Sequence, residues 1–247
     1  MAGHSKWKNI RLHKGKADIE RGKIFGKLSR EITIAARGGG NPDGNPRLRL
    51  AIEKAREKSM PVDNIKRAVQ RGTGEVEGAS YEEATYEGYG PGGAAVLVQA
   101  ATDNRNRTVA DLRFLFSKHG GNLGESGSVA WQFQQKAVIE LASGDYSEED
   151  VMDAALEGGA DDVQSDDDGF TITADAEVLA DLRAHLAAKF QIESAEIEMV
   201  PQTPVALEGD DAKKMMKLMD ALDDHDDVQS VASNFEMSDE LLEEATS

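Results

Sequence analysis

The chain has 247 residues, no cysteine and a formal net charge of -18. The absence of cysteine excludes disulfides, thiol nucleophiles and cysteine-ligated metal sites, and it fits a reducing compartment. The longest apolar run, AAVLV at 94–98, is far shorter than the roughly 20 residues that cross a bilayer. The composition therefore predicts a cytoplasmic protein that does not contact a membrane.

The charge is divided unequally along the chain. Residues 1–72 hold 18 Lys and Arg against 7 Asp and Glu, a net charge of +11, whereas residues 73–247 carry -29. Such an asymmetry is typical of a polyanion-binding module joined to an acidic body. We expect residues 1–72 to bind nucleic acid, and the acidic remainder either to contact protein partners or to restrain the basic module.

Residues 1–72 have the sequence pattern of a small helical bundle. From Lys16 to Arg37, apolar residues recur at spacings of three and four, cations occupy the opposite face, and three glycines follow. Asn45 is placed to cap a second helix with Pro46 at its first position, and Pro61 starts a third helix that we expect Gly72 to stop. The predicted inward residues are Ile24, Phe25, Leu28, Ile32, Ala35, Leu48, Ala51, Ile52, Ala55, Val62, Ile65 and Val69.

The cations of this domain are candidates for contact with phosphate groups, because each neutralised phosphate releases condensed counterions. The alternative is a solvated surface, which the charge asymmetry makes the weaker interpretation. Trp7 lies among the cations and either stacks on an unpaired base or fills the core of the bundle. The candidate nucleic-acid-binding residues are Lys6, Trp7, Lys8, Arg11, Lys14, Lys16, Lys23, Lys27, Arg30 and Arg37.

After the linker TGEVEGAS, strand-like and helical segments alternate. Residues 136–201 have the order β-α-β-β-α-β, which is the split βαβ order of a ferredoxin-like domain. YEGYG, AAVLVQA, a helix at 108–119 and the strand SVAWQF begin a related domain, which TPVAL, a second helix and VQSVASNFEMS complete. The predicted fold class is α+β: a basic helical bundle (1–72) followed by two ferredoxin-like α/β domains, the third (136–201) inserted into the second (73–135 plus 202–247).

The segment TDNRNRTVADLRF places two arginines before the predicted helix. Thr108 is predicted to cap this helix, with Asp111 completing a pair that resembles a capping box. Capping does not account for Arg105 and Arg107. Their guanidinium groups suit a phosphate or a partner's carboxylate, or else they pair with acids of residues 73–247.

Other motifs predict no metal, cofactor or catalytic residue. Gly90, Gly92 and Gly93 lack a following GK[ST] and indicate a turn rather than a phosphate-binding loop. Asp166 and Asp168 resemble part of a calcium loop, but Gln164 replaces its first carboxylate, which favours a hairpin. The five histidines form no HExxH motif. We therefore expect a protein that is not an enzyme; a nuclease that gathers carboxylates around magnesium is the alternative.

Three separated segments, MAGHSKWKNI, TDNRNRT and GGNLGESGSVAWQF, resemble the family of YebC/PmpR-type regulatory proteins, whose mitochondrial relatives are translational activators. The resemblance extends over essentially the whole chain. It implies a helical N-terminal domain, two related α/β domains and a role in gene expression, described both as DNA-binding transcriptional control and as assistance to the ribosome. The implied partners are therefore nucleic acid together with the ribosome or proteins of the transcription machinery.

The two nucleic-acid targets differ in how they are recognised. Residues 1–72 are rich in Lys and Arg but lack a recognisable helix with the Asn, Gln and Arg set that contacts base edges in a major groove. Structured RNA presents dense phosphate and is recognised largely by shape. This favours a translation factor associated with ribosomal RNA, with a DNA-binding transcriptional regulator as the alternative.

Overall fold

The structure is a computed structural model that describes residues 17–142, 144, 146–166 and 169–238. The chain forms two compact units. Among the described residues, one unit consists of 17–130 together with 203–238, and the other lies within Trp131–Gln202. None of the described helices combines the length and the apolar character needed to cross a membrane.

The described residues contain seven α-helices and ten β-strands, which are numbered here in chain order. The helices are α1 (Ala17–Ala35), α2 (Pro46–Glu57), α3 (Val62–Thr73), α4 (Arg105–Lys118), α5 (Glu148–Glu157), α6 (Leu179–Ala187) and α7 (Gly209–Asp223). The strands are β1 (Glu82–Tyr89), β2 (Ala95–Thr102), β3 (Asn122–Leu123), β4 (Phe133–Ala142), β5 (Asp162–Asp166), β6 (Gly169–Asp175), β7 (Ile192–Pro201), β8 (Val205–Ala206), β9 (Val228–Ser233) and β10 (Phe235–Glu236). The predicted fold class, a helical region followed by α/β domains, is confirmed.

Helices α1, α2 and α3 form the helical domain. The side chain of Asn45 accepts a hydrogen bond from the backbone N–H of Leu48, and Pro46 occupies the first position of α2, which confirms the predicted cap. Asn45 also donates to the carbonyls of Ala35 and Gly39, so it fixes the turn between α1 and α2. The shared core contains Leu28, Ile32, Ala35, Ala36, Leu48, Ala51, Ile52, Ala55, Met60, Ile65 and Ala68.

Two predictions for α3 are wrong. Gly72 does not stop the helix, which continues to Thr73 and ends at Gly74, a residue with φ of 81°. A Cβ at position 72 would lie 2.3 Å from the carbonyl oxygen of Thr33, so glycine is needed there because α1 and α3 approach closely. Val62 is exposed rather than part of the core, although Ile65 in the same turn of α3 is buried.

The unit Trp131–Gln202 is the third domain, and its chain order is β4-α5-β5-β6-α6-β7. Its sheet has the strand order β5-β6-β4-β7 with every neighbouring pair antiparallel. This is the ferredoxin-like arrangement predicted from the sequence. Alternate residues of β4, including Ile139 and Leu141, pack with Leu182 and Leu186 of α6 in its core.

The second domain has a four-stranded antiparallel sheet of order β3-β1-β2-β9. Helices α4 and α7 pack on the same face of this sheet and share one core with Val96, Val98 and Val231. The predicted strand SVAWQF is wrong: Ala130–Gln132 is a short 3-10 turn, and the strand begins only at Phe133. The strand that follows α4 is instead β3, which two glycines precede.

Candidate nucleic-acid interface

Three of the predicted nucleic-acid-binding cations lie on one face of α1, because residues 23, 27 and 30 are spaced by three and four positions. The ammonium of Lys23 lies 2.9 Å from Asp224, and that of Lys27 lies 2.7 Å from Asp223. Arg30 donates to the backbone carbonyl of Asp226. The α1 cations therefore contact residues 223–227, which comprise the last residue of α7 and the turn after it and which we call the acidic turn.

The acidic turn presents to α1 the kind of group that a nucleic acid would present. The carboxylates of Asp223 and Asp224 are oxygen anions at hydrogen-bond distance from Lys27 and Lys23, as phosphate oxygens are in protein–nucleic acid contacts. A crevice of about 330 Å³ lies between the two segments and is lined by Gly22, Lys23, Gly26, Lys27, Arg30 and Asp223, Asp224, His225 and Asp226. The ion pairs are partly exposed, and pairs of this kind are weak and sensitive to salt.

Other cations of the helical domain remain exposed. Arg37 donates to Ser80 at 2.9 Å, and Arg47 forms an ion pair with Glu83. Five further cations form no ion pair within the described part of the chain and lie on α2, α3 and the residue that ends α2: Arg49, Arg56, Lys58, Lys66 and Arg67. Sequence reasoning did not select them, although the seven-residue spacing of Arg49 and Arg56 places both on one side of α2.

The remaining predicted contacts lie outside the described residues. They are Lys6, Trp7, Lys8, Arg11, Lys14 and Lys16. Their contact with nucleic acid stays a prediction, as does that of Lys23, Lys27, Arg30 and Arg37.

The residue that caps α4 is Asn104 and not Thr108. The side chain of Asn104 accepts a hydrogen bond from the backbone N–H of Arg107 at 3.1 Å. Thr108 is fully buried inside the first turn, and its hydroxyl lies 2.8 Å from Asp227 and 2.7 Å from the hydroxyl of Thr102. The prediction failed because the partner of Thr108 is 119 residues away in sequence. Asp111, the expected second member of the capping pair, instead faces His225 at 3.4 Å.

Arg105 and Arg107 both have carboxylate partners within the chain. Arg107 lies 2.9 Å from Asp103 and 2.7 Å from Asp227, and Arg105 lies 2.9 Å from Glu82. The structure thus contains the internal ion pairs that were one of the two interpretations. Both guanidinium groups remain about half exposed, so contact with a phosphate or a partner stays a prediction.

Asp227 links α1, α4 and β2. Burial alone would raise the pKa of Asp227, but the hydrogen bonds from Arg107 and Thr108 outweigh this effect and lower the pKa below its ordinary value. Arg30 of α1 approaches the same carboxylate to 4.0 Å. Asp227 therefore joins the acidic turn to α4 by short hydrogen bonds and lies within ion-pair distance of α1.

A second buried carboxylate, Glu87 of β1, organises the loop GESGSVA. It accepts hydrogen bonds of 2.7 Å from each of the backbone N–H groups of Gly127, Val129 and Ala130. Burial would raise the pKa of Glu87, but these backbone hydrogen bonds lower it below its ordinary value. The loop owes its shape to this carboxylate and not to strand pairing.

The motifs considered for phosphate or metal binding have simple backbone roles. Pro91–Gly93 forms a short 3-10 turn between β1 and β2, which confirms the predicted turn. Strands β5 and β6 pair through Asp166 and Gly169, which confirms the predicted hairpin, although Asp168 itself lies outside the described residues. Among the described residues, no group of three or more His, Asp and Glu side chains is placed to hold a metal ion.

Comparison with known proteins assigns the chain to a family. Residues 5–75 match the family profile described as "TACO1/YebC protein N-terminal domain", and residues 81–235 match "TACO1/YebC second and third domain". A "probable transcriptional regulatory protein" from Chloroherpeton thalassium is 56% identical over 98% of both chains, and one from Geobacter sulfurreducens is 54% identical over 98% of this chain and 99% of the relative.

A solved structure agrees with this assignment. The crystal structure of a conserved hypothetical protein from Aquifex aeolicus matches with a TM-score of 0.83 and 47% identity, covering 91% of this chain and 93% of the other. Profile matches over most of the length and relatives above 50% identity point to the same group of proteins. The chain belongs to the TACO1/YebC family.

Proposed function

We propose that this protein is a non-catalytic, nucleic-acid-binding regulator of gene expression that acts as a translation factor on ribosomal RNA. The observation that carries the proposal is the set of exposed cations Arg49, Arg56, Lys58, Lys66 and Arg67, which have no ion pair in the described structure. They lie on the domain with a net charge of +11 in a chain with a net charge of -18. Cations that are not used for internal pairing are free to neutralise phosphates.

The chemistry of this surface supports RNA as the target. Lys and Arg on a compact helical domain suit phosphate groups and the shape of a structured RNA. The remaining acidic domains can then contact basic proteins that surround the RNA. Ribosomes present both kinds of surface.

A second candidate is a DNA-binding transcriptional regulator. The specific observation in its favour is that the relatives from Chloroherpeton thalassium and Geobacter sulfurreducens both carry the name "probable transcriptional regulatory protein". The exposed cations fit DNA phosphates as well as RNA phosphates. Direct binding measurements must therefore separate the two targets.

One experiment compares ribosome binding with promoter binding. Cell extract is sedimented with ribosomes intact, and the purified protein is footprinted on candidate promoters. The double variant Lys66→Glu with Arg67→Glu should reduce co-sedimentation, whereas the control Arg183→Glu with Lys189→Glu, the same pair of charge changes on exposed residues of the third domain, should not. Absence from ribosomal fractions, together with a salt-resistant promoter footprint, would establish the DNA alternative.

The same preparation tests the non-catalytic part of the proposal. Bound RNA incubated with magnesium should stay intact, because the chain is proposed to bind and not to cleave. Time-dependent shortening of the RNA by the purified protein, absent from a mock purification, would show an enzyme instead.

A further inference from the structure

The cations of the acidic second domain are concentrated at one end of its two helices. Residues 74–130 and 203–238 contain seven Lys and Arg residues. Two of them, Arg105 and Arg107, form the internal ion pairs described above. The other five lie on the C-terminal half of α4 and the first nine residues of α7: Arg113, Lys118, Lys213, Lys214 and Lys217.

An exposed aromatic ring lies among these cations. Phe114 is 63% exposed, although its helix neighbours Leu112 and Phe116 are fully buried in the core. The ammonium of Lys118 lies 5.9 Å from the centre of the Phe114 ring. We call Arg113, Phe114, Lys118 and Lys217 the α4–α7 patch.

Contacts at the end of α4 bring the two helices together in this region. A Cβ placed on Gly120 would lie 3.6 Å from the side chain of Lys214. The pKa of His119 is lowered by burial and by the positive charges of Lys118 and Lys217. Lys118 of α4 and Lys214 and Lys217 of α7 therefore lie close to His119 and Gly120 at the end of α4.

Helix stability does not account for the patch. Lys118 in the last turn of α4 complements the helix dipole, but lysines in the N-terminal half of α7 oppose it. Lys214 is balanced by Asp210 at 2.8 Å. Arg113 and Lys217 form no ion pair within the described residues, and an exposed Phe contributes nothing to the core.

We propose that the α4–α7 patch is a second nucleic-acid contact, which binds an unpaired segment of RNA with one base stacked on Phe114 and the adjacent phosphates on Arg113, Lys118 and Lys217. This inference rests on the proposed RNA-binding function and deepens it. An aromatic face between cations is the arrangement that binds single-stranded nucleic acid without sequence preference. Charge complementarity favours a polyanion at this position, because Arg113, Lys118 and Lys217 are cations and two of them, Arg113 and Lys217, form no ion pair within the described residues.

The experiment measures binding of a fluorescein-labelled 12-nucleotide single-stranded oligoribonucleotide to the full chain by anisotropy. Phe114→Ala should weaken binding by roughly fivefold or more, which is the lower end of what one stacked base contributes, whereas Phe114→Tyr should retain the affinity. Leu156→Ala, which truncates an exposed apolar residue of α5, is the matched control and should bind as the wild type does. Ultraviolet crosslinking followed by mass spectrometry should place a nucleotide adduct at Phe114.

A second variant tests the cations separately from the ring. Lys118→Gln with Lys217→Gln should lower the slope of log affinity against log salt by about two, since each lost phosphate contact lowers it by about one. Circular dichroism of each variant checks that the fold is retained, and both sites are exposed enough to tolerate the changes.

The outcomes distinguish this inference from the proposed function. If the wild type binds the RNA and Phe114→Ala binds it equally well, with adducts confined to residues 1–72, the patch is not an RNA contact but the function stands. If the wild type binds no RNA, both fail. If a labelled poly-glutamate peptide loses affinity on Phe114→Ala while RNA binding does not change, the patch docks an acidic protein segment and the inference is overturned.

Discussion

Neutralising the acidic turn should strengthen nucleic-acid binding by the full chain. The change is Asp223→Asn together with Asp224→Asn, which removes the carboxylates that contact Lys27 and Lys23. Both replacements keep the size and shape of the side chain. Because the carboxylates compete with phosphates for the same ammonium groups, their removal leaves the α1 cations available to the ligand.

The magnitude follows from the exposure of the two ion pairs. Lys23 and Asp224 are 35% and 48% exposed, and Lys27 and Asp223 are 21% and 31% exposed. Partly exposed pairs contribute about 0.2–1 kcal/mol each after solvent screening. The two pairs together contribute about 0.4–2 kcal/mol. Since 1.4 kcal/mol corresponds to a tenfold change, the double variant should bind about 2- to 30-fold more tightly.

The assay is a titration of labelled ribosomal RNA and of duplex DNA at several salt concentrations. The gain should shrink as salt rises, because both the ion pairs and the contacts with phosphate are screened. Glu148→Gln with Glu149→Gln is the control, since it removes the same amount of charge from exposed residues of α5. Equal gains in the two double variants would show a general charge effect, and no gain in the acidic-turn variant would refute competition for the α1 cations.

Three further outcomes concern stability. Measured by urea titration, Arg107→Ala should lower the free energy of unfolding by about 2 kcal/mol, because the buried carboxylate of Asp227 loses its charged donor. Arg105→Ala removes an exposed ion pair and should lower it by less than about 1 kcal/mol. Glu87→Gln should cost about 2 kcal/mol at pH 7. Since the native pKa of Glu87 lies below its ordinary value of 4.5, that difference should vanish as the pH falls through the native pKa. Asn104→Ala should cost about 1 kcal/mol as a lost helix cap, visible as a lower thermal midpoint.

The sequence predicted those parts of the fold that are determined by residues close together in the chain, such as the cap of α2 and the element order of the third domain. Asn45 and Pro46 act within one turn of α2, so their roles were visible from spacing alone. The third domain is one continuous segment whose strands and helices alternate regularly, and its order was predicted in full. Three motifs indicated the family, and the matches of residues 5–75 and 81–235 to the family profiles confirmed it.

The failures have a common physical origin in contacts between residues distant in sequence. Thr108 is of a residue type that often caps helices, but its buried hydroxyl instead donates a hydrogen bond to the carboxylate of Asp227, 119 residues later in the chain. SVAWQF has strand-like residues, but Glu87 accepts hydrogen bonds from the backbone N–H groups of Val129 and Ala130 within it. The charge pattern identified cations on α1, but no local signal indicated that Asp223 and Asp224 contact them.

The interrupted chain order of the second domain has a consequence for synthesis. Trp131–Gln202 is one uninterrupted stretch of chain. It can fold as soon as it has emerged from the ribosome, since domains tend to fold as units during translation. The second domain must wait for α7, whose Met215 and Met219 complete its core. Lys23 and Lys27 therefore leave the ribosome about 200 residues before their partners in the acidic turn. During that interval we expect the nascent helical domain to bind polyanions more readily than the finished protein does.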